Sequence, residues 1–233
     1  MAPATPGLIG SGNIGGTLAR LAVDAGLDVV LSNSRAPQTL ADLVDELGPH
    51  ARATTVAQAA AAGDWVVVTI PVGAVGAVPR EPLAGKTVID TGNYFAPRDG
   101  TIPELDAREL TDSELLQRHL AGAHVVKAFN NINYQHLGAL PRPVDAADRT
   151  SLPIAGDDPA AKKHAAELLS LLGFDAVDMG PLTEGWRSQV GTPVFCAPYS
   201  VTKDDRYRNQ PAAPASAAEI RAALAAARRW ATG

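Results

Sequence analysis

The residues with the clearest chemical potential stand at the start of the chain. Pro6-Gly7-Leu8-Ile9-Gly10-Ser11-Gly12-Asn13-Ile14-Gly15 reads as a short apolar strand, a glycine turn and the opening of a helix. Gly10, Gly12 and Gly15 have the G-x-G-x-x-G spacing of a dinucleotide site. That chemistry needs a tight turn at Gly10, no Cβ at Gly12 where backbone approaches a pyrophosphate, and close helix–strand contact at Gly15. Ser11, Asn13 and Ile14 complete the cradle, and the first N–H groups of the helix face the phosphates. A glycine-rich turn in an ordinary α/β protein has the same letters. The context favours the nucleotide, because an amphipathic helix follows and a second strand ends in a polar cluster, Ser32-Asn33-Ser34-Arg35. An NAD site usually places Asp or Glu there, about 20 residues beyond the turn, on the ribose hydroxyls. This chain has no acid at that place. Arg35 can instead make charge-assisted bonds to a 2′-phosphate, with Ser32, Asn33 and Ser34 as neutral donors. The pattern favours NADP(H) over NAD, the bland alternative being a solvated arginine before a helix.

Further candidates follow strand ends. Thr69, Ile70 and Pro71 close a strongly apolar strand and are expected beside the ribose–nicotinamide half, although Pro71 also serves as a simple terminator. Asn93 and Tyr94 leave the next strand and are candidate pocket residues, Asn93 on the cofactor and Tyr94 on the substrate. Lys127 and Asn130 leave the one after it. A lysine there can donate a proton in carbonyl or imine reduction, and an asparagine can orient the carboxamide or substrate; pairing or phosphate contact are the alternatives for Lys127. His136 is a titratable candidate on the substrate side, with a structural hydrogen bond as the alternative. Trp186 could stack on a planar acceptor and Arg187 hold an acidic one, or the pair is a packed indole beside a surface arginine. His119, His124 and His136 have no converging ligand spacing, so no metal site is expected.

The elements that must position these groups alternate. Leu18, Leu21, Ala22 and Ala25 share one helical face, Val29–Ser32 is a compact strand, and Leu40, Leu43, Val44 and Leu47 mark the next helix. Residues 51–63 hold a third strand and an alanine-rich helix, and 64–71, 87–91 and 124–130 supply three further strands and their exits. Residues 96–110 read as a long surface loop. Thr111-Asp112-Ser113-Glu114 has the form of a capping box. The expected fold is α/β: a doubly wound Rossmann-type sheet over residues 1–150, with a small C-terminal α/β extension over 151–233 on the substrate side. The last helix, from a second capping box at Ser216 and Glu219, is a candidate for packing on the body or on a twin subunit.

With 233 residues, 46% hydrophobic and 19% charged, the chain has the composition of a globular protein with a sizeable core. A formal charge of −5 gives no footprint for nucleic acid. The single cysteine, Cys196, excludes an internal disulfide and fits a reducing compartment. No apolar run reaches the length of a membrane span. The expected location is cytoplasmic, with neither membrane nor nucleic-acid partner.

Longer motifs extend the comparison. The opening turn, Ser34-Arg35, Val125-Val126-Lys127-Ala128-Phe129-Asn130, Ala155-Gly156-Asp157-Asp158, Leu172-Gly173-Phe174-Asp175-Ala176-Val177-Asp178 and Gly180-Pro181-Leu182 resemble the NADP-dependent coenzyme F-420 (deazaflavin) oxidoreductase family. They are also similar to the reductase domain of membrane metalloreductases, whose flavin partner differs. The resemblance covers about residues 7–183. It implies hydride transfer between NADPH and coenzyme F-420, with Gly10–Ile14 on the pyrophosphate, Ser34 and Arg35 on the 2′-phosphate, Thr69–Pro71 along the nicotinamide approach, and a homodimer. Two planar rings held at reactive distance need alignment more than a strong base, which fits the lack of an evident triad. The chain departs from the family pattern after Leu182, on the side where a second substrate would sit. The alternatives are an NADPH-dependent reductase of flavin, quinone, imine or small carbonyl substrate, and an NADP-binding redox sensor without turnover.

Arg35→Ala tests the cofactor reading. It should weaken NADPH binding by about tenfold to a hundredfold, the loss of one or two charge-assisted bonds, while leaving NADH binding unchanged in parallel fluorescence titrations. Undiminished preference for NADPH would contradict it.

Overall fold

A computed structural model describes residues 5–204 and 206–229 of the protein. Eight strands form one sheet: β1 (Pro6–Ile9), β2 (Val29–Ser32), β3 (Ala51–Ala53), β4 (Trp65–Val68), β5 (Thr87–Asp90), β6 (His124–Lys127), β7 (Ser151–Gly156) and β8 (Asp175–Asp178). Their spatial order is β3-β2-β1-β4-β5-β6-β7-β8. Strands β3 to β6 run parallel, β7 pairs antiparallel to β6, and β8 returns parallel to β7. The first six therefore have the 3-2-1-4-5-6 order of a dinucleotide-binding sheet, with the switch point between β1 and β4.

The central strands are apolar because both faces are covered. Val66, Val67 and Val68 of β4 and Val88 and Ile89 of β5 have essentially no exposed surface. Helices α1 (Asn13–Asp24), α2 (Ala41–Leu47) and α3 (Val56–Ala62) cross over between the first four strands. Thr55 caps α3 through a capping box with Gln58, and Lys86 closes its other end by donating to the carbonyls of Ala60, Ala61 and Gly63 at 2.9, 2.7 and 3.0 Å. The stretch expected to be a long loop holds two single helical turns, α4 (Ala96–Asp99) and α5 (Pro103–Asp106). Each begins with a proline near its first position, where the missing N–H has no intrahelical role.

The Thr111 capping box forms and starts α6 (Asp112–His119). After β6 come α7 (Tyr134–Ala139), then α8 (Pro159–Leu171), capped by Asp158, and finally α9 (Ala217–Ala226). The sheet thus continues past residue 150, because Val126 and Lys127 of β6 pair with Gly156 and Ala155 of β7. Buried Arg149 binds this extension together, donating to the carbonyls of Ser170 and Phe174 and pairing with Asp175 at 2.8 Å. The apolar face of α9 is used within the chain: Ile220 and Leu224 are buried in the main core.

Cys196 sits in that core region at 3% exposure, and burial pushes its thiol up to about 12. The sign follows directly. A folded-state pKa above the unfolded one keeps the proton on in the native chain, so this contribution is intact below about 9 and is lost as pH rises toward 12. Native protein at neutral pH should therefore react with a chromogenic disulfide reagent far more slowly than unfolded protein does, since the thiolate is the reactive form. Fast stoichiometric labelling of the native chain would contradict this placement.

Candidate functional site

The nucleotide end is built by a close passage of backbone at the switch point. Gly10 has φ +106°, and a Cβ there would lie 2.5 Å from the Thr69 carbonyl oxygen. Its N–H donates to the Ser32 carbonyl at 3.0 Å, fixing the turn against β2. A Cβ on Gly15 would lie 2.3 Å from the Gly10 carbonyl oxygen, so the helix can approach the strand only with glycine there. Gly12 differs: a Cβ built there meets nothing within 4 Å. Neither packing nor backbone conformation (φ −74°) demands glycine at this position. What glycine leaves is open space beside the start of α1, whose N-cap makes no side-chain hydrogen bond and whose first turn has no acid. Unfilled N–H donors facing an open cradle fit a pyrophosphate.

The polar cluster after β2 divides into supports and presenters. The Ser32 hydroxyl is fully buried and donates to the Leu8 carbonyl at 2.9 Å; Ser11 Oγ donates to the Ser32 carbonyl at 3.2 Å. Asn33 shapes the loop, accepting from the Arg35 N–H at 2.9 Å and donating to Thr39 Oγ1 at 2.8 Å. Ser34 and Arg35 are exposed, and among the described residues neither side chain has a protein partner. Asn13 is exposed at the first position of α1 and Ile14 is half-buried against the core. At the other end, Thr69 Oγ1 donates to the Gly10 carbonyl at 3.3 Å, Ile70 packs on a second apolar cluster, and Pro71 is exposed. The strand itself ends at Val68, short of these three.

A cavity of about 460 Å³ opens beyond β5. Asn93, Tyr94, Thr111, Asp112 and Trp186 are among its lining residues. Asn93 is locked to the exit of β6: its Nδ2 donates to the Asn130 carbonyl at 2.7 Å, and Asn130 Nδ2 donates to Asn93 Oδ1 at 3.2 Å and to the Ser188 carbonyl at 2.8 Å. The exit is turned by Phe129, a buried non-glycine residue at φ +60°. Such backbone is costly and persists only where its surroundings fix it.

Lys127 has no exposed surface. Its Nζ donates to Asp112 Oδ1 at 2.6 Å, the Gly92 carbonyl at 3.0 Å and Ser113 Oγ at 3.2 Å, with Asp90 Oδ2 at 3.9 Å. Ser113 Oγ in turn meets Asp90 Oδ2 at 2.6 Å. Burial holds the Asp90 carboxyl above the usual carboxylate range, the Lys127 charge opposing the shift and the Asp112 charge adding to it. Sequence reasoning missed Asp90, Asp112, Ser113 and Ser188. Asp112 and Ser113 read as the interior of a capping box, and the available signal for Asp90 was an acid at the carboxyl end of an otherwise apolar central strand.

The remaining candidates lie elsewhere. His136 is buried on α7 with its Nε2 against the Gln210 carbonyl at 2.9 Å, outside the cavity lining. Arg187 also lies outside the lining; it pairs with Glu184 and donates to the Leu224 carbonyl at 3.2 Å. Its guanidinium stands 4.5 Å from the Trp186 ring centre, and Arg229 stands 5.3 Å from it. The indole is thus engaged by cations from its own chain. Among the described residues no helix is long and apolar enough to cross a membrane, and no group of three His, Cys, Asp or Glu converges as a metal site.

Residues 5–94 match the family described as "NADP oxidoreductase coenzyme F420-dependent". That match falls on the first five strands of the sheet and the helices between them. Over 186 residues, 76% of this chain, it is 32% identical to metalloreductase STEAP3 of Rattus norvegicus. The chain spans little more than a third of the length of the curated relatives it matches, 34% in that case. A hypothetical protein of Sinorhizobium meliloti, SMa0349, is similar in structure at TM-score 0.71 and 29% identity, over 82% of this chain and 92% of that one. A candidate F420-dependent NADP-reductase from Arthrobacter sp. FB24 gives 0.65 and 28%, over 78% and 87%. Solved structures at 16 to 21% identity share the fold alone. The strand order and the match over residues 5–94 are those of an NAD(P)-binding oxidoreductase fold.

The two central glycines make separable predictions. Gly12→Ala should leave Tm unchanged yet weaken NADPH binding about tenfold or more, because the added methyl enters space that only a ligand fills. Gly10→Ala should lower Tm, through the positive φ and the Thr69 contact. Equal loss of Tm in both variants would refute the cradle.

Proposed function

We propose that the chain is an NADPH-dependent reductase whose acceptor is a small carbonyl or imine compound seated in the cavity beside Asn93 and Asp112. Gly10, Ser11, Gly12, Asn13 and Ile14 form the pyrophosphate cradle, while Ser34 and Arg35 take the 2′-phosphate. Thr69, Ile70 and Pro71 border the nicotinamide approach. Bound NADPH supplies the hydride. Asn93, held by Asn130 and through it by Ser188, presents a fixed amide edge to whatever occupies the cavity. The observation that carries this reading is the buried Lys127–Asp112 pair, of which Asp112 lines the cavity and Lys127 lies behind it. Reduction of a carbonyl or imine needs a proton as well as a hydride, and this pair would supply it.

A second reading, hydride exchange with coenzyme F-420 or another flavin-like ring, is favoured by the family match over residues 5–94 and by the Arthrobacter structure. It needs ring alignment and no strong acid. The open cavity supports turnover over a cofactor sensor without it.

An acceptor panel separates the readings. Loss of NADPH absorbance with small carbonyls or imines, and not with deazaflavin, is the expected result; turnover with deazaflavin or flavin alone would move the assignment to the second reading, and NADPH binding without any turnover would leave only the sensor.

A further inference from the structure

Two buried carboxylates share one lysine in this molecule. Asp90 from β5 is faced by Lys127 from β6 and by Asp112 and Ser113 from α6; β4 presents the apolar Val68 beside it. The 3₁₀ segment Leu182–Ser188 covers the lysine stem, since a Cβ on Gly185 would come within 3.1 Å of Lys127 Cδ. Asp90 and Asp112 are 4% and 1% exposed and Lys127 0%, so the cluster is sealed from bulk water except where Asp112 meets the cavity. With both acids ionised it would hold one uncompensated negative charge in a low-dielectric interior, which burial strongly disfavours. Taking up one proton removes that charge. The contacts form an unbroken line for it: Lys127 Nζ donates to Asp112 Oδ1 at 2.6 Å and to Ser113 Oγ at 3.2 Å, and Ser113 Oγ, whose hydroxyl can turn, lies 2.6 Å from Asp90 Oδ2, while Asp90 Oδ1 accepts from the Gly92 N–H at 2.8 Å.

We propose that Asp90, Ser113, Lys127 and Asp112 form a buried proton store that discharges through Asp112 into the cavity. The proposal rests on the cavity being the acceptor site. As the acceptor carbon gains the hydride of NADPH, its C=O or C=N π pair moves to the oxygen or nitrogen. That atom takes the proton that the Lys127 ammonium passes through Asp112, and Ser113 relays the Asp90 proton to Lys127. The acceptor is reduced by two electrons and NADPH oxidised by two, and a solvent proton refills the store once the open cavity empties. Asp112 is the group in contact with the acceptor; Asp90 and Ser113 act through Lys127. The raised Asp90 carboxyl, which follows from its burial, agrees with a proton held there.

The experiment uses Asp90→Asn, which preserves shape, and Ser113→Ala; Lys127→Met is unsuitable because it strands two carboxylates and threatens folding. The first readout is infrared difference spectroscopy of the protein without cofactor. Wild-type and Ser113→Ala proteins should show a carboxylic-acid carbonyl band near neutral pH, and Asp90→Asn should lack it. The second is the pH profile of turnover on whichever small acceptor the panel identifies. Wild-type kcat should fall as pH rises through the ionisation of the store, and both variants should lose about a hundredfold in kcat with little change in KM for NADPH. A band missing from the wild type, or persisting in Asp90→Asn, overturns the store. So does turnover by Asp90→Asn with unchanged kcat and pH profile, which would leave the reductase reading intact. If wild-type protein reduces no carbonyl or imine, the reductase reading fails and discharge into an acceptor fails with it, while the band still decides whether Asp90 holds the proton.

Discussion

A lysine ammonium with no exposed surface is the constraint from which the acceptor side of this molecule is built. Removing that charge from water is tolerable only if acceptors surround it. Asp112 and Ser113 at the start of α6 and the Gly92 carbonyl just after β5 supply them. With the lysine itself on β6, satisfying one ammonium fixes the end of β5, the start of α6 and the end of β6 relative to one another. Asp112 Oδ2 also accepts from the Tyr94 N–H at 3.2 Å, which draws the β5 exit into the same arrangement. The cavity is the space left beside these fixed ends.

The cofactor side rests on a different kind of constraint, steric rather than electrostatic. At Gly10 and Gly15, backbone passes so close to Thr69 and to the turn itself that a Cβ has no room. At Gly12 there is room, and a structural reason for glycine is absent. This contrast separates glycines that fold the site from the glycine that leaves space for its occupant. The same sorting applies after β2, where Ser32 and Asn33 spend their polar groups on the chain and Ser34 and Arg35 do not.

Much of this was legible in the residues because short-range rules govern it. The alternation of strands and helices, the G-x-G-x-x-G turn, the absent acid before Arg35 and the capping boxes at Thr111 and Ser216 all depend on spacings within a short stretch of chain. What was not legible depends on contacts across long stretches of chain. Lys127 meets Asp112 and Asp90 only because β5 and β6 are neighbours, and nothing local to Asp112 distinguishes a helix-start carboxylate in water from one facing a buried lysine. His136 illustrates the converse: a titratable side chain whose chemistry suggested a ligand lies outside the cavity lining and meets a backbone carbonyl far along the chain. The turns α4 and α5 were hidden for another reason: proline reads as a breaker, although at a first helical position it is tolerated.

The C-terminal segment joins the two sides. Leu182–Ser188 touches the interior through the buried Leu182 side chain, through Gly185 over the lysine stem, and through the Ser188 carbonyl and hydroxyl on Asn130. Thr183 and Trp186 between these anchors, and Gln189 just after them, line the cavity. A segment anchored at Leu182, Gly185 and Ser188 can change its cavity-facing side chains without disturbing Lys127 or Asn130. The nucleotide cradle, at the β1–β4 switch point, takes no part in these contacts. Acceptor selectivity can therefore diverge in this fold while the grip on the cofactor stays as it is, the family match over residues 5–94 lying on the cofactor side.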